Sequence, residues 1–195
     1  MQAKGGRRSN AERTEETRAA LIAAARALFV AEGYAGTATP DIVKTAGVTR
    51  GALYHHFEDK AALFRAVVEA EAVAVADKID TSTAGDDASI DALIAGATAY
   101  FDAMAAPGRA QLMLIEGPAV LGHTTVRDIS ARTDAATLIE GLRKRADDAG
   151  ATIPVEAVAD LLSAMFDRAA LAIATGAEPE PYKRALETVM RGLIP

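Results

Sequence analysis

The chain has 195 residues, half of them apolar, and a formal net charge of −6, which fits one compact domain or two small ones with a sizeable core. It contains no cysteine, which excludes disulfides, thiolate nucleophiles and Cys-ligated zinc or iron–sulfur centres and suits a reducing cytoplasm. No uninterrupted apolar run nears the ~18 residues of a membrane span, and the polar stretch Met1 to Arg8 carries no secretory signal, so neither a membrane partner nor export is expected.

Alanine fills 46 positions and aromatics only 5%, a composition that favours helices over strands. Breaker residues cut the chain into helical segments. The first runs from Ser9 to Glu32, with Ser9 and Glu12 at capping-box spacing, and ends at Gly33. Ahead of it, Lys4, Arg7 and Arg8 form either a basic arm for phosphates or the minor groove, or a solvated tail. Thr39-Pro40 opens a short second helix, with Thr39 as N-cap and Pro at the first helical position, that stops at Gly47. Thr49 caps a third helix ending near Phe57, and Lys60 to Ile79 forms a longer fourth.

Residues 1–65 carry ten basic and seven acidic side chains, a net +3, whereas residues 66–195 carry eleven and twenty, a net −9. A basic head on an acidic body points to a polyanion at one end, although ordinary surface variation gives the same count. Within that head, two short helices joined at Gly47-Val48 make a helix-turn-helix. Ile42, Val43, Ala46, Val48, Leu53 and Phe57 supply its small core, with Gly47 as left-handed cap. The outer face of the second helix then shows Thr49, Arg50, Tyr54 and His55. Arg50, at the first turn, suits a guanine O6/N7 edge, while Thr49, Tyr54, His55 and Lys60 suit phosphates. The adjacent His55 and His56 diverge on a helix and cannot chelate a metal, so no metal or other cofactor is expected.

The run Ala46-Gly47-Val48-Thr49-Arg50-Gly51-Ala52-Leu53-Tyr54-His55-His56-Phe57, then Lys60 and Leu63-Phe64, resembles the DNA-binding domain of the tetracycline-repressor-like (TetR) family. Ile22 to Ala25, Leu28-Phe29 and Gly33-Tyr34 match that family's first helix and following turn, so the resemblance covers roughly residues 13–70. It implies an all-α regulator of about nine helices, with a DNA-binding domain over 9–58, a linking helix over 60–79 and an effector-binding, dimerising body over 80–195. Thr39, Thr49, Arg50, Gly51, Tyr54, His55 and Lys60 fall where members touch DNA. Ala38-Thr39-Pro40 departs from the pattern, since Pro40 removes a backbone N–H from that helix start.

Beyond the polar linker Thr81–Asp87, Ser89 to Ala106 reads as a helix closed by Pro107-Gly108. Arg109 to Glu116 follows, broken at Gly117-Pro118, then a short piece to Leu121 and a long helix from Thr124 to Ala149. The block Glu116 to Gly122 resembles one TetR subgroup but carries His123 where that subgroup has tryptophan. Phe101, Met104, Leu112, Met113 and Phe166, with Glu116 and His123 as polar members, are candidates for an effector cavity. Core packing and a loop histidine account for the same residues without a ligand.

Two amphipathic stripes finish the chain. Leu161, Leu162, Met165, Leu186, Val189, Met190 and Leu193 close the monomer's core or, as the TetR resemblance implies, build the interface of a homodimer. The expected activity is that of a repressor holding a palindromic operator and released by a small-molecule effector. A helical enzyme and an interaction module that has lost DNA binding are the alternatives. Against the enzyme stand the missing Gly-rich phosphate loop and Ser/His/Asp context; against the module stand Arg50 and Lys60.

Overall fold

The computed structural model describes residues 10–83 and 89–193. Ser9, Lys4, Arg7, Arg8 and the end of the expected linker, residues 84–87, lie outside the described residues. The described residues hold no strand. The chain divides into two units, one as far as Val67 and one from Val68 on.

The first unit contains α1 (Asn10–Gly36), α2 (Thr39–Ala46), α3 (Arg50–His56) and the start of α4 (Lys60–Thr83). Leu21, Ala25, Phe29, Ile42, Leu53, Leu63, Phe64 and Val67 are at most 1% exposed, and each large member contributes roughly 1.5–3 kcal/mol by leaving water. Alanine gives α1 the length and hydropathy of a membrane span, but its apolar stripe is part of this core. Phe29, Tyr34 and Phe64 meet as a ring cluster with centroids 5.0–5.7 Å apart.

Gly33 (φ 72°, ψ 166°) kinks α1 where the sequence places its end, and helical bonding resumes as far as Gly36. The N-cap of α2 is Ala38, in an extended conformation, and Thr39 is already helical. The expectation of Thr39 as N-cap is therefore shifted by one residue, which releases its hydroxyl from the helix end. Gly47 (φ 67°, ψ 27°) closes α2, donating to the Lys44 and Val43 carbonyls, and Val48 N–H bonds Val43 O at 3.0 Å. This is the left-handed cap the sequence calls for.

The second unit contains the rest of α4, then α5 (Ile90–Met104), α6 (Arg109–Gln111), a π-helical turn (Leu112–Glu116), α7 (Gly117–Leu121), α8 (His123–Ala131), α9 (Asp134–Asp148), α10 (Val155–Ala174) and α11 (Pro179–Leu193). α5 packs on α9, α10 and α11. Alanines at 92, 97, 99 and 103 of α5 and at 159, 169, 170 and 172 of α10 are buried, and their small side chains permit close helix approach. Tyr100, Phe101 and Phe166 fill the space between, with centroids 5.9–6.1 Å apart. Glu71 of α4 and Arg109 of α6 form a buried ion pair at 2.7 Å, and Arg109 Nη1 also donates to Ala103 O at 2.6 Å.

Gly117-Pro118 does not break the chain as expected. The π turn realigns the carbonyls so that Gly117 N–H reaches Leu112 O, five residues back, and Pro118 falls in the first turn of α7, where no donor is required. The single helix expected from Thr124 to Ala149 is instead two. Thr133 leaves helical geometry (φ −126°, ψ −103°), with its hydroxyl bonding Ile129 O at 3.0 Å in competition with the backbone. With α6, the π turn and α7 taken as one rod, the described residues hold ten helices, one more than the nine expected.

The residues of the two C-terminal stripes divide by burial. Leu162, Leu186 and Met190 are buried inside their own chain, whereas Leu161, Met165 and Leu193 are exposed and Val189 is half-buried. α10 has two apolar faces about 100° apart, because consecutive residues diverge by that angle, and only the outer one is presented to solvent.

Candidate nucleic-acid interface and effector cavities

The turn between α2 and α3 fixes the surface of the first unit that faces outward. Ile42, Leu53 and Phe57 are buried beneath it, and Val43, Ala46 and Val48 half-buried. With these inward, Thr49, Arg50, Gly51, Tyr54 and His55 are exposed together on α3. Thr49 caps α3, its hydroxyl oxygen accepting from Ala52 N–H at 3.1 Å, so its own O–H remains available as a donor. The Arg50 guanidinium lies 5.5 Å from the Tyr54 ring centroid. A hydrogen bond from Thr39, and after it one from Arg50, holds the Tyr54 phenol below the usual tyrosine value. Thr39, Arg50 and Tyr54 are thereby linked from the start of α2 across to α3, a connection that spacing alone does not reveal.

Such a face meets the needs of a major-groove reader: a guanidinium at the first turn of an exposed helix, with hydroxyl and imidazole groups beside it. His55 is exposed and stacks edge-on against half-buried His56 at 5.4 Å. Among the described residues no group of three or more His, Asp or Glu stands where it could hold a metal.

Lys60, expected on a phosphate, has internal partners. Its ammonium donates to Tyr34 O at 2.8 Å and Thr37 O at 2.9 Å and sits 4.2 Å from the Tyr34 ring centroid. Those bonds use two of its three donors and tie the start of α4 to the end of α1. Asp59 caps the same helix, accepting from Ala62 N–H at 2.7 Å. Burial, then the charge of Asp59, pushes the Tyr34 phenol up.

In the second unit the expected effector residues separate. Phe101 and Met104 line a cavity of about 380 Å³ between the end of α5 and the end of α10. Phe166 lines another of about 70 Å³, walled by α4, α5, α9 and α10. Leu112 and Met113 are buried, Glu116 is half-buried and His123 exposed, and none of the four lines either cavity. His123 faces water because Gly122 (φ 83°) ends α7 and makes it the first residue of α8. The smaller cavity is walled by groups that the sequence reading passed over: Tyr100, Thr137, Ser163 and Asp167. Tyr100 Oη donates to Asp167 Oδ1 at 2.5 Å. Ser163 and Asp167 follow Ala159 at steps of four on α10 and are half-buried.

Residues 21–67 match the family described as bacterial regulatory proteins, tetR family, and residues 90–195 match the tetracyclin repressor-like C-terminal domain. The regulator TtgR of Pseudomonas putida is 47% identical over 62 residues, 32% of this chain and 30% of that protein. The activator FasR of Mycolicibacterium smegmatis is 27% identical over 133 residues, 68% of this chain and 61% of that protein. The matched segments thus span between about a third and two thirds of these relatives. A solved TetR-family regulator from Pectobacterium atrosepticum superimposes with a TM-score of 0.68 at 28% identity, covering 96% of each chain.

Proposed function

The chain belongs to the TetR family of bacterial regulatory proteins, and from that membership we propose that it is a ligand-responsive repressor, a homodimer that holds a palindromic operator and releases it when a small molecule binds. The relatives described above are named as transcriptional regulators, not enzymes. One observation carries the reading for this chain: the exposed face of α3 on which Arg50 is coupled to Tyr54 and Thr39. Arg50 contacts a base edge, Thr49 and His55 contact phosphates, and Gly51 keeps the helix start free of a side chain where the backbone nears the duplex.

In this account residues 9–58 read DNA, α4 links, and the chain from residue 80 on binds effector and dimerises. The exposed apolar side chains of α10 and α11, Leu161, Met165 and Leu193, form the two-fold contact. Effector favours a conformation in which the two recognition helices no longer match successive major grooves. α4 belongs to both units and carries the change. The working compartment is the cytoplasm, where operator DNA is found.

Selection from a random DNA pool by the full chain tests this directly. A two-fold symmetric sequence should emerge, with half-sites about one helical turn or a multiple apart. Failure to enrich any sequence would leave an interaction module without DNA binding. A promoter reporter separates repression from activation, the role in the name of the Mycolicibacterium relative.

A further inference from the structure

We infer that Tyr54 is a positioning residue: its ring holds the Arg50 guanidinium for a base edge and so sets sequence discrimination, in place of the phosphate contact its sequence context suggests. The inference rests on the reading of α3 as the recognition helix and adds to it the role of Tyr54.

Three observations converge. First, Arg50 and Tyr54 stand four residues apart on α3, a spacing that makes them neighbours on one face. The guanidinium lies 5.5 Å from the Tyr54 ring centroid, within reach of the ring's attraction for a cation. A ring engages the flat face of a guanidinium and leaves its N–H edge for a guanine O6/N7 pair, whereas a carboxylate partner would occupy that edge. The bond that Arg50 gives the Tyr54 phenol takes one of five donors.

Second, both side chains face solvent: Arg50 is exposed and Tyr54 is 44% exposed. An exposed arginine samples many rotamers and loses them on meeting a base, so a partner that restricts it beforehand reduces the loss. The core beneath α3 is filled by Ile42, Leu53 and Phe57, which leaves the outer ring of Tyr54 to act on its own face. His55, the other exposed ring there, stacks on His56.

Third, Tyr54 is itself held from outside α3. Because Ala38 is the N-cap of α2, Thr39 lies in the first turn with its hydroxyl released from capping. That hydroxyl bonds the Tyr54 phenol. The left-handed turn at Gly47 closes α2 just before α3, so Arg50 is referenced through Tyr54 to both helices of the motif.

Full-length wild type, Arg50→Ala, Tyr54→Leu, Tyr54→Phe and the double variant Arg50→Ala/Tyr54→Leu are titrated on three kinds of DNA. These are the operator enriched from the random pool, its variants at the base pair that Arg50→Ala relaxes, and scrambled DNA. The readout is the ratio of affinities for the operator and a variant at that pair. Tyr54→Leu should lower the ratio about 2–5-fold per half-site, the scale of one exposed cation–π contact. It should leave affinity for scrambled DNA, and its salt dependence, unchanged, which also shows that the variant folds. Tyr54→Phe keeps the ring and should keep most of the ratio. In the Arg50→Ala background Tyr54→Leu should lower the ratio no further, since the two act as one unit.

An unchanged ratio in Tyr54→Leu, with all sequences weakened alike and a shallower salt slope, would make Tyr54 a phosphate contact and overturn the inference. A Tyr54→Phe as damaging as Tyr54→Leu, or an additive loss in the double variant, would overturn it as well. Arg50→Ala separates this outcome from the reading beneath it. If that variant relaxes no base pair, Arg50 is not the reader and both fall; if it does and Tyr54→Leu does not, only the inference falls.

Discussion

Arg50 and Tyr54 stand one turn apart on α3, and the phenol is tuned by what surrounds it. Bonds from Thr39 and Arg50 lower the Tyr54 pKa, whereas burial and Asp59 raise that of Tyr34, each from an ordinary value of 10.0. Tyr54 therefore adds stability that is complete above the ordinary value and is lost as pH falls through its lowered one. Tyr34 does the opposite: its contribution is complete below the ordinary value and is lost as pH rises through its raised one. In an ultraviolet titration, Tyr54→Phe should delete a step at lower pH than the one Tyr34→Phe deletes; the reverse order would refute both environments. Lys60 makes a separate test. Lys60→Ala leaves the Tyr34 and Thr37 carbonyls without their ammonium and should cost about 1–3 kcal/mol of stability in urea unfolding. An unchanged midpoint with a shallower salt dependence of DNA binding would make Lys60 a phosphate contact instead.

Gly47 shows how much an element can depend on one backbone angle. At φ 67° with no heavy atom within 4 Å of an added Cβ, Gly47→Ala meets no clash, so its cost is conformational alone, about 1–2 kcal/mol. Gly117→Ala differs, because its Cβ would sit 3.1 Å from Leu112 O and 3.4 Å from Val126 Cγ2. Circular dichroism melts should show both variants less stable, Gly117→Ala by overcrowding the π turn. Gly47, Thr49 and the core at Ile42, Leu53 and Phe57 were legible in the sequence because local rules for caps, turns and periodicity suffice to define a helix-turn-helix. The break at Thr133 was not, since it carries no glycine or proline and depends on a side-chain bond. Nor was the continuity through Pro118, which needs a π turn that no local propensity announces. Tyr100 and Asp167 meet across 67 positions of sequence, a distance over which periodicity says nothing.

At the scale of the molecule, α10 buries one apolar face and presents another to solvent. Leu161 is 66% exposed and Leu162 2%, so neighbouring leucines should respond in opposite ways to charge. Leu161→Lys with Met165→Lys should yield folded monomers in sedimentation, with weakened operator binding because each half-site loses its neighbour's effective concentration. Leu162→Lys should unfold the second unit by burying an unpaired charge. Unchanged dimers in the double variant would remove the outer face of α10 from the interface. The acidic second unit, which carries all of the net −9 beyond residue 65, is unsuited to DNA, which leaves recognition to the basic first unit. The most direct test of that division is the titration of Arg50→Ala on the selected operator, on single-base variants and on scrambled DNA at several salt concentrations. A loss of about 1–3 kcal/mol per half-site confined to the operator, with relaxed discrimination at one base pair in each half, is the predicted result. A uniform loss on all sequences, with the original preference intact, would contradict it.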